Sequence, residues 1–165
     1  MPVNRRPSRR QRAGYALLEA LVAVIVTSVG FIAAARLQTL GMGFNNSALY
    51  RQKATLLGTQ MTDRMRANQV GVSLGAYDNP PAGGDVACLS TGCTPAALAQ
   101  ADMAEWTADV AAQLPDGRGV VCIDDTPDDG DVDDPQCDGV GRVLSVKLWW
   151  SDSFGSSRFV TVARP

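Results

Sequence analysis

The side chains that could do chemistry fall into three groups: a lone glutamate in an apolar segment, four cysteines, and a dense run of aspartates. The sequence contains no histidine, which removes Ser-His-Asp and Cys-His catalysis and the most common transition-metal ligand. It also lacks a glycine-rich phosphate-binding loop, so an enzyme would depend largely on carboxylates. We therefore predict that the protein is not an enzyme and needs no cofactor.

The aspartates are the only dense set of carboxylates, and hard cations such as calcium prefer several carboxylate oxygens. The set consists of Asp124, Asp125, Asp128, Asp129, Asp131, Asp133, Asp134 and Asp138. Its spacing does not fit an EF-hand: with Gly130 at the invariant glycine, Pro127 takes the third ligand position and Gln136 the twelfth. We expect a solvated acidic loop. Calcium binding is the alternative, with candidate ligands Asp124, Asp128, Asp129 and Asp131.

The four cysteines favour disulfides in an oxidising compartment. Cys88 and Cys93 are close in the sequence, and Cys122 and Cys137 bracket most of the acidic run. We predict a bond within each pair, although four cysteines permit three connectivities. A zinc site made by all four thiolates is the alternative, but the close Cys-x-x-Cys pairs usual in structural zinc sites are missing.

Glu19 is unusual because it interrupts an apolar run, Tyr15 to Ala35, that is long enough to cross a bilayer. A carboxylate in a transmembrane segment costs roughly 2.5–3.5 kcal/mol, so such a residue is a functional hypothesis that needs a partner. Five arginines and no acid precede Tyr15, and positive charge holds that flank in the cytoplasm. From Tyr15 onwards the chain has ten basic and seventeen acidic residues, which does not suggest nucleic-acid binding.

Other interpretations share parts of this pattern. The basic stretch, the apolar core and the alanines at 33–35 imitate a cleavable secretory signal, but Glu19 near the start of the core speaks against one. The arginine pair at 9–10 resembles part of a twin-arginine signal, but Gln11 and Arg12 stand where such signals have apolar residues. Glu19 itself could be a tolerated acid that reaches the lipid headgroups.

The run from Gly14 to Glu19, Gly-Tyr-Ala-Leu-Leu-Glu, resembles the class III signal of type IV pilins and their relatives. The resemblance implies that a prepilin peptidase cuts the Gly14–Tyr15 bond on the cytoplasmic face and that the new N-terminal residue, Tyr15, is methylated. Family members usually have Phe first and Ser or Thr second in the mature chain, so Tyr15 and Ala16 are departures. Glu19 matches, and its expected partner is the Tyr15 amine of a neighbouring subunit.

Two helices are expected from the hydrophobic spacing. Apolar residues beyond Arg36 fall mostly at intervals of three and four, so we predict that the membrane helix continues as an amphipathic stem to Asn68. The segment 71–84 is rich in Gly, Pro and Asn, which predicts a loop. A second helix is expected from an N-cap at Thr94 to Pro115.

The last third of the chain predicts strands over 119–123, 143–150 and 159–163. In the middle one, Leu144, Val146, Leu148 and Trp150 would point one way and Val143, Ser145, Lys147 and Trp149 the other, as expected of an antiparallel strand with one buried face. The glycine-containing segment 153–157 is a plausible hairpin connection to the final strand.

The predicted helices come first in the chain and the predicted strands last. This order predicts an α+β fold similar to that of pilins, with a long N-terminal transmembrane and amphipathic helix packed on a C-terminal antiparallel sheet. Asp63-Arg64-Met65-Arg66-Ala67-Asn68 also resembles the minor pilin group called type IV pilus modification protein PilV. Further matching runs are 54–57, 61–62, 76–77, 93–95, 119–122 and 149–150. The expected domains are a cytoplasmic leader (1–14), a transmembrane helix (15–36), an amphipathic stem (37–68) and a periplasmic globular domain (69–165).

The resemblance implies a minor pilin that is trimmed by prepilin peptidase and incorporated into, or primes, a type IV pilus, supporting biogenesis, adhesion and twitching motility. The implied partners are other minor and major pilins, the prepilin peptidase/methyltransferase and the inner membrane. The protein would cross that membrane once, with its N-terminus cytoplasmic and its C-terminal domain periplasmic, and reach the pilus on assembly. A type II secretion pseudopilin and a membrane-anchored periplasmic calcium-binding module are the alternatives.

Overall fold

A long helix and a small sheet make up most of the regular structure. The computed structural model describes residues 9–80, 88 and 92–164, with side chains from Tyr15 onwards. Arg5 and Arg6 of the predicted leader and residues 81–84 of the predicted loop lie outside the described residues. The elements are α1 (Arg9–Ala67), α2 (Gln69–Ser73), α3 (Pro95–Gln113), β1 (Arg118–Ile123), β2 (Leu144–Asp152) and β3 (Gly155–Ala163).

The chain divides into two units, one ending at Phe44 and the other beginning at Asn45. In the second unit, α1 buries Ala54, Leu57, Met61 and Met65, which recur every three or four residues. The predicted three- and four-residue spacing therefore matches the buried side of α1 from Ala54 to Met65, whereas the apolar residues of the earlier part of the predicted stem are exposed: Leu37, Leu40, Phe44 and Ala48. The second half of α1 is therefore part of the core of the C-terminal unit.

The three strands form an antiparallel sheet in the order β1-β2-β3. Val146, at its centre, pairs with Val121 on β1 and with Thr161 on β3. A two-residue turn joins β2 to β3, because Asp152 already pairs with Gly155. The prediction of an α+β fold with a C-terminal antiparallel sheet is confirmed, and the arrangement is compatible with a pilin-like fold.

The core lies between this sheet and the helices α1 and α3. Trp106 of α3 is fully buried and donates its indole N–H to the carbonyl of Leu57 on α1, at 2.9 Å. A β-carbon at Gly119 would overlap the Trp106 ring, so β1 has glycine where α3 crosses it. Gly58 has the same role on α1, since a β-carbon there would lie 2.8 Å from Phe159 of β3.

Three local predictions need correction. The segment predicted as a loop from residue 71 begins inside α2, because the Asn68 side chain accepts a hydrogen bond from Gly71 N and caps this short helix. Strand β3 begins at Gly155, so only Ser153 and Phe154 connect the hairpin. The helix α3 does begin after the Thr94 cap, as predicted, but ends at Gln113.

The largest correction concerns β2, which was expected to bury one face. All residues from Leu144 to Trp150 are buried, including Ser145, Lys147 and Trp149 on the face predicted to be open. The reason is tertiary: the aspartate-rich connection between β1 and β2 contacts this face through Lys147.

Candidate functional site

The first unit is an apolar helix with its side chains turned outwards. Every side chain from Tyr15 to Met42 is exposed, and Tyr15 itself is 79% exposed. The most apolar stretch of 18 residues has a mean hydropathy of 2.3, and none of its residues is buried. By length and composition, this is the one helix in the described part of the chain that could cross a membrane.

The predicted processing and assembly residues all lie on this helix. Gly14 and Tyr15, the residues of the proposed scissile bond, are both helical in α1. Glu19 is exposed, and no described residue forms a hydrogen bond or an ion pair with it. Tyr15 and Glu19 are four residues apart, so both lie on one face of the helix. The carboxylate is thus open to a partner outside the chain.

Two hydroxyl side chains in the apolar segment form hydrogen bonds within the helix. The hydroxyl of Thr27 donates to the carbonyl of Ala23 at 2.6 Å, and that of Ser28 donates to the carbonyl of Val24. Such bonds to the preceding turn pair the hydroxyl hydrogens within the helix, which a membrane-spanning segment would require. Glu19 has no equivalent bond, which sets it apart from these residues.

The acidic loop, residues 124–138, closes over Lys147 of β2. Lys147 and Asp124 have fully buried side chains, and Lys147 Nζ lies 2.5 Å from Asp124 Oδ2. The same ammonium group donates to Asp129 Oδ1 at 3.0 Å and to the carbonyl of Pro135 at 2.8 Å. A buried lysine thus has two carboxylates and backbone carbonyls around it, as a buried charge requires.

Hydrogen bonds from the loop and from β3 complete this arrangement. The Thr126 hydroxyl donates to Asp129 Oδ2 at 2.7 Å, and this bond, followed by that from Lys147, lowers the pKa of Asp129. Arg158 of β3 donates to the carbonyls of Asp128, Asp129 and Gly130. Asp129 is therefore a carboxylate at neutral pH, and the two cations hold the loop against the sheet.

Both predicted cysteine pairs are bonded in the structure, Cys88 to Cys93 and Cys122 to Cys137. The second disulfide ties the end of the acidic loop to β1, with 6.0 Å between the α-carbons. The described residues include no free cysteine, so the thiolate zinc site considered above has no ligands among them.

The calcium candidates do not converge on a metal-sized centre. Asp124 and Asp129 bind Lys147, and Asp131 accepts hydrogen bonds from the backbone of Asp133 and Asp134. Those two backbone bonds, the one from Asp134 first, lower the pKa of Asp131. Among the residues that the structure describes, no three His, Cys, Asp or Glu side chains form a group that could hold a metal ion.

Sequence reasoning missed Lys147, which it placed on an exposed strand face. The available signal was modest: a lone lysine in an apolar strand that follows a run of aspartates. The loop is consequently not a purely solvated feature. Six of its eight aspartates are exposed, whereas Asp124 is fully buried and Asp129 is partly buried.

The run Asp63–Asn68, which carried the most specific resemblance, joins α1 to α3. Arg64 Nη1 lies 2.6 Å from Glu105 Oε2 and 3.3 Å from Asp102 Oδ1 on α3. Burial acts to lower the pKa of Arg64, but the hydrogen bond and charge of Glu105, with the contribution of Asp102, outweigh it and raise the pKa. Arg64 therefore remains a cation at the helix interface.

Asn68 and Tyr77 continue this polar network into the core. Tyr77 is fully buried and donates its hydroxyl to Asp102 Oδ2 at 2.6 Å; burial first, and this bond second, raise the pKa of Tyr77. Asn68 Nδ2 donates to the carbonyl of Pro95, the first residue of α3, at 2.8 Å. The motif thus has a structural role in positioning α3 and the segment that follows α1.

No family model, curated protein or solved structure matches the chain.

Proposed function

We propose that this protein is a minor pilin of the PilV type: a non-enzymatic subunit that is anchored in the inner membrane, trimmed by prepilin peptidase and incorporated into, or priming, a type IV pilus. The observation that supports this most is the exposed apolar segment 15–42 with Glu19 as its single unpartnered carboxylate. This carboxylate contributes nothing to membrane anchoring, because placing it in hydrocarbon costs roughly 2.5–3.5 kcal/mol of insertion free energy.

Membrane anchoring and subunit docking both follow from that segment. Before assembly, lipid covers the exposed apolar side chains, and the basic leader stays in the cytoplasm. In the fibre, the same side chains pack against other pilins. Cleavage creates a new amine at Tyr15, and Glu19 of one subunit binds the Tyr15 amine of the next. This pairing requires the correct register, because a misaligned subunit leaves two charges unpaired.

The mature N-terminus tests this proposal directly. We expect mass spectrometry of the protein from cell membranes and from sheared pili to find a chain that begins at Tyr15 and is methylated on its amine. An intact leader in both fractions, or a chain cleaved after Ala35 as by signal peptidase, would contradict the proposal. Each of these products differs in mass by many residues, so the outcomes are readily distinguished.

Replacing Glu19 with Gln should impair assembly and leave insertion unchanged. The amide keeps the size of the side chain but removes the charge that binds the Tyr15 amine. We expect equal membrane abundance and a roughly tenfold or greater loss of the processed protein from sheared pili, since breaking an ion pair away from water costs several kcal/mol.

The matched control for this variant is Ser28→Ala, which removes a hydroxyl from the same segment that bonds only to its own helix. Ser28→Ala should enter pili normally. If Glu19→Gln also does so at equal membrane abundance, the pairing of Glu19 with a neighbouring amine is wrong.

A further inference from the structure

A shallow groove lies where β2 begins and β3 ends. Two adjoining cavities of about 50 and about 220 Å³ share Val72 and Leu144 in their walls, and Val162 adds a third apolar side chain. The basic residues in their lining are Arg66, Arg142 and Arg164, and the lining includes no acidic residue. We call this feature the arginine groove.

The arginines are unusual for the unit that contains them. From Asn45 onwards the chain has nine basic and sixteen acidic residues, yet three of the basic residues line one groove. Arg66 is paired with Asp63 at 2.9 Å. Arg142 and Arg164 are exposed, and neither forms a hydrogen bond or an ion pair with a described residue. The groove is therefore a basic site with an apolar floor on an acidic unit.

The acidic loop of the same chain has the complementary character. Asp128 and Asp133 are exposed, and their carboxylates accept no hydrogen bond from the described residues. Asp125 is exposed too, but its side chain lies beside Gly141 at the groove of its own chain. The loop is also held in shape by its disulfide and by the bonds from Lys147 and Arg158. A surface that is already ordered loses little conformational entropy on binding.

We propose that the arginine groove of one copy binds the acidic loop of a second copy. Within one chain the loop is anchored on the Lys147 face of β2, whereas Leu144 of the groove points to the opposite face by strand alternation. The contact joins two different surfaces, so it is head-to-tail and can extend along a series of copies. It is a property of the C-terminal unit and goes beyond the proposed pilin function, because it does not depend on leader cleavage.

Site-specific cross-linking tests this contact. Full-length protein in detergent is prepared with a photo-reactive amino acid at Val162, which is 42% exposed in the groove. We expect dimers whose cross-linked peptide, identified by mass spectrometry, lies within 124–138 of the second copy, and whose yield falls as salt is added. Absence of a cross-link, or attachment to any other segment, would overturn the proposal.

Charge reversal then tests complementarity. Arg142→Glu with Arg164→Glu should lower the yield roughly fivefold, the effect expected from losing two exposed ion pairs of ordinary strength. Asp128→Lys with Asp133→Lys in the loop should have a similar effect. The control is Arg51→Glu, since Arg51 is another exposed arginine of the same unit and lines neither the groove nor the cavity beside the acidic loop.

Mixing the two reversed proteins provides the decisive comparison. A groove made acidic should bind a loop made basic, so the yield between the two reversed proteins should return towards that of the unaltered pair. Such recovery also shows that neither variant has lost its fold. If the yield does not recover, or if Arg51→Glu causes an equal loss, the proposed contact is wrong. This readout requires no pili, so its failure would leave the proposed function intact.

Discussion

Replacing Lys147 with Met should lower the free energy of unfolding of the C-terminal unit by about 3–5 kcal/mol, the usual cost of removing one partner from a buried ion pair. Methionine can occupy the space of the lysine stem, so the loss is chiefly electrostatic. Asp124, whose side chain is fully buried, would be left with no cation beside it. The Pro135 carbonyl would also lose its donor. Chemical denaturation of the full-length protein in detergent, followed by tryptophan fluorescence, measures the change.

The matched control is Arg158→Met, which removes the other cation that holds the acidic loop. Arg158 is exposed, and it donates only to backbone carbonyls that water can reach in its absence. The decrease in the free energy of unfolding should therefore be much smaller for Arg158→Met than for Lys147→Met. Adding Asp124→Asn to Lys147→Met should recover part of the stability, because the unpaired charge is then gone. Equal destabilisation by Lys147→Met and Arg158→Met would show that the buried ion pair contributes no more to the free energy of unfolding than the exposed Arg158 does.

Replacing Gly14 with Val should abolish leader removal almost completely. The resemblance implies that the peptidase accepts only a very small residue before the scissile bond, and a β-branched side chain would crowd that subsite. The protein should accumulate in the membrane with residues 1–14 attached, and it should be absent from sheared pili because Tyr15 has no free amine for Glu19. Intact-protein mass spectrometry and immunoblotting of the two fractions measure both effects.

Gly30→Val is the control for a general effect of valine in this helix. Gly30 lies in the same helix, and an added β-carbon there has no atom within 4 Å. Its leader should be removed normally. Normal processing of Gly14→Val would show that Gly14–Tyr15 is not the cleaved bond, whereas failure of both variants would point to a helix effect.

Local patterns predicted the elements that depend on neighbouring residues in the sequence. The spacing of Leu57, Met61 and Met65 predicted the buried side of the stem, and Thr94 before Pro95 predicted where α3 begins. Strand positions were correct at the centre and less so at the ends. The cysteine pairs were recognisable because bracketing cysteines are conspicuous in any context, and both disulfides are present. The role of Glu19 stays a prediction.

Contacts between distant segments could not be obtained in this way. The alternation in β2 identified two faces, but it gave no sign that the acidic loop covers the second one. Lys147 was therefore placed on an open face, although it is fully buried. The stem was predicted to end at Asn68, but the contacts of its side chain were not, since its partners Tyr77 and Pro95 lie further along the chain. The arginine groove likewise brings together Arg66, Arg142 and Arg164 from separate segments.

The position of the two loop cations along the chain also matters for synthesis. Among the described residues, the cations that contact the acidic loop are Lys147 and Arg158, and both follow it in the sequence. If the C-terminal unit crosses the membrane starting from its N-terminal end, the aspartates emerge before any lysine or arginine that will neutralise them. A chain interrupted before β2 would then expose a highly charged segment, with no cation bound to it, to proteases beyond the membrane. Completed translocation would therefore protect this loop, because only then are Lys147 and Arg158 present to bind it.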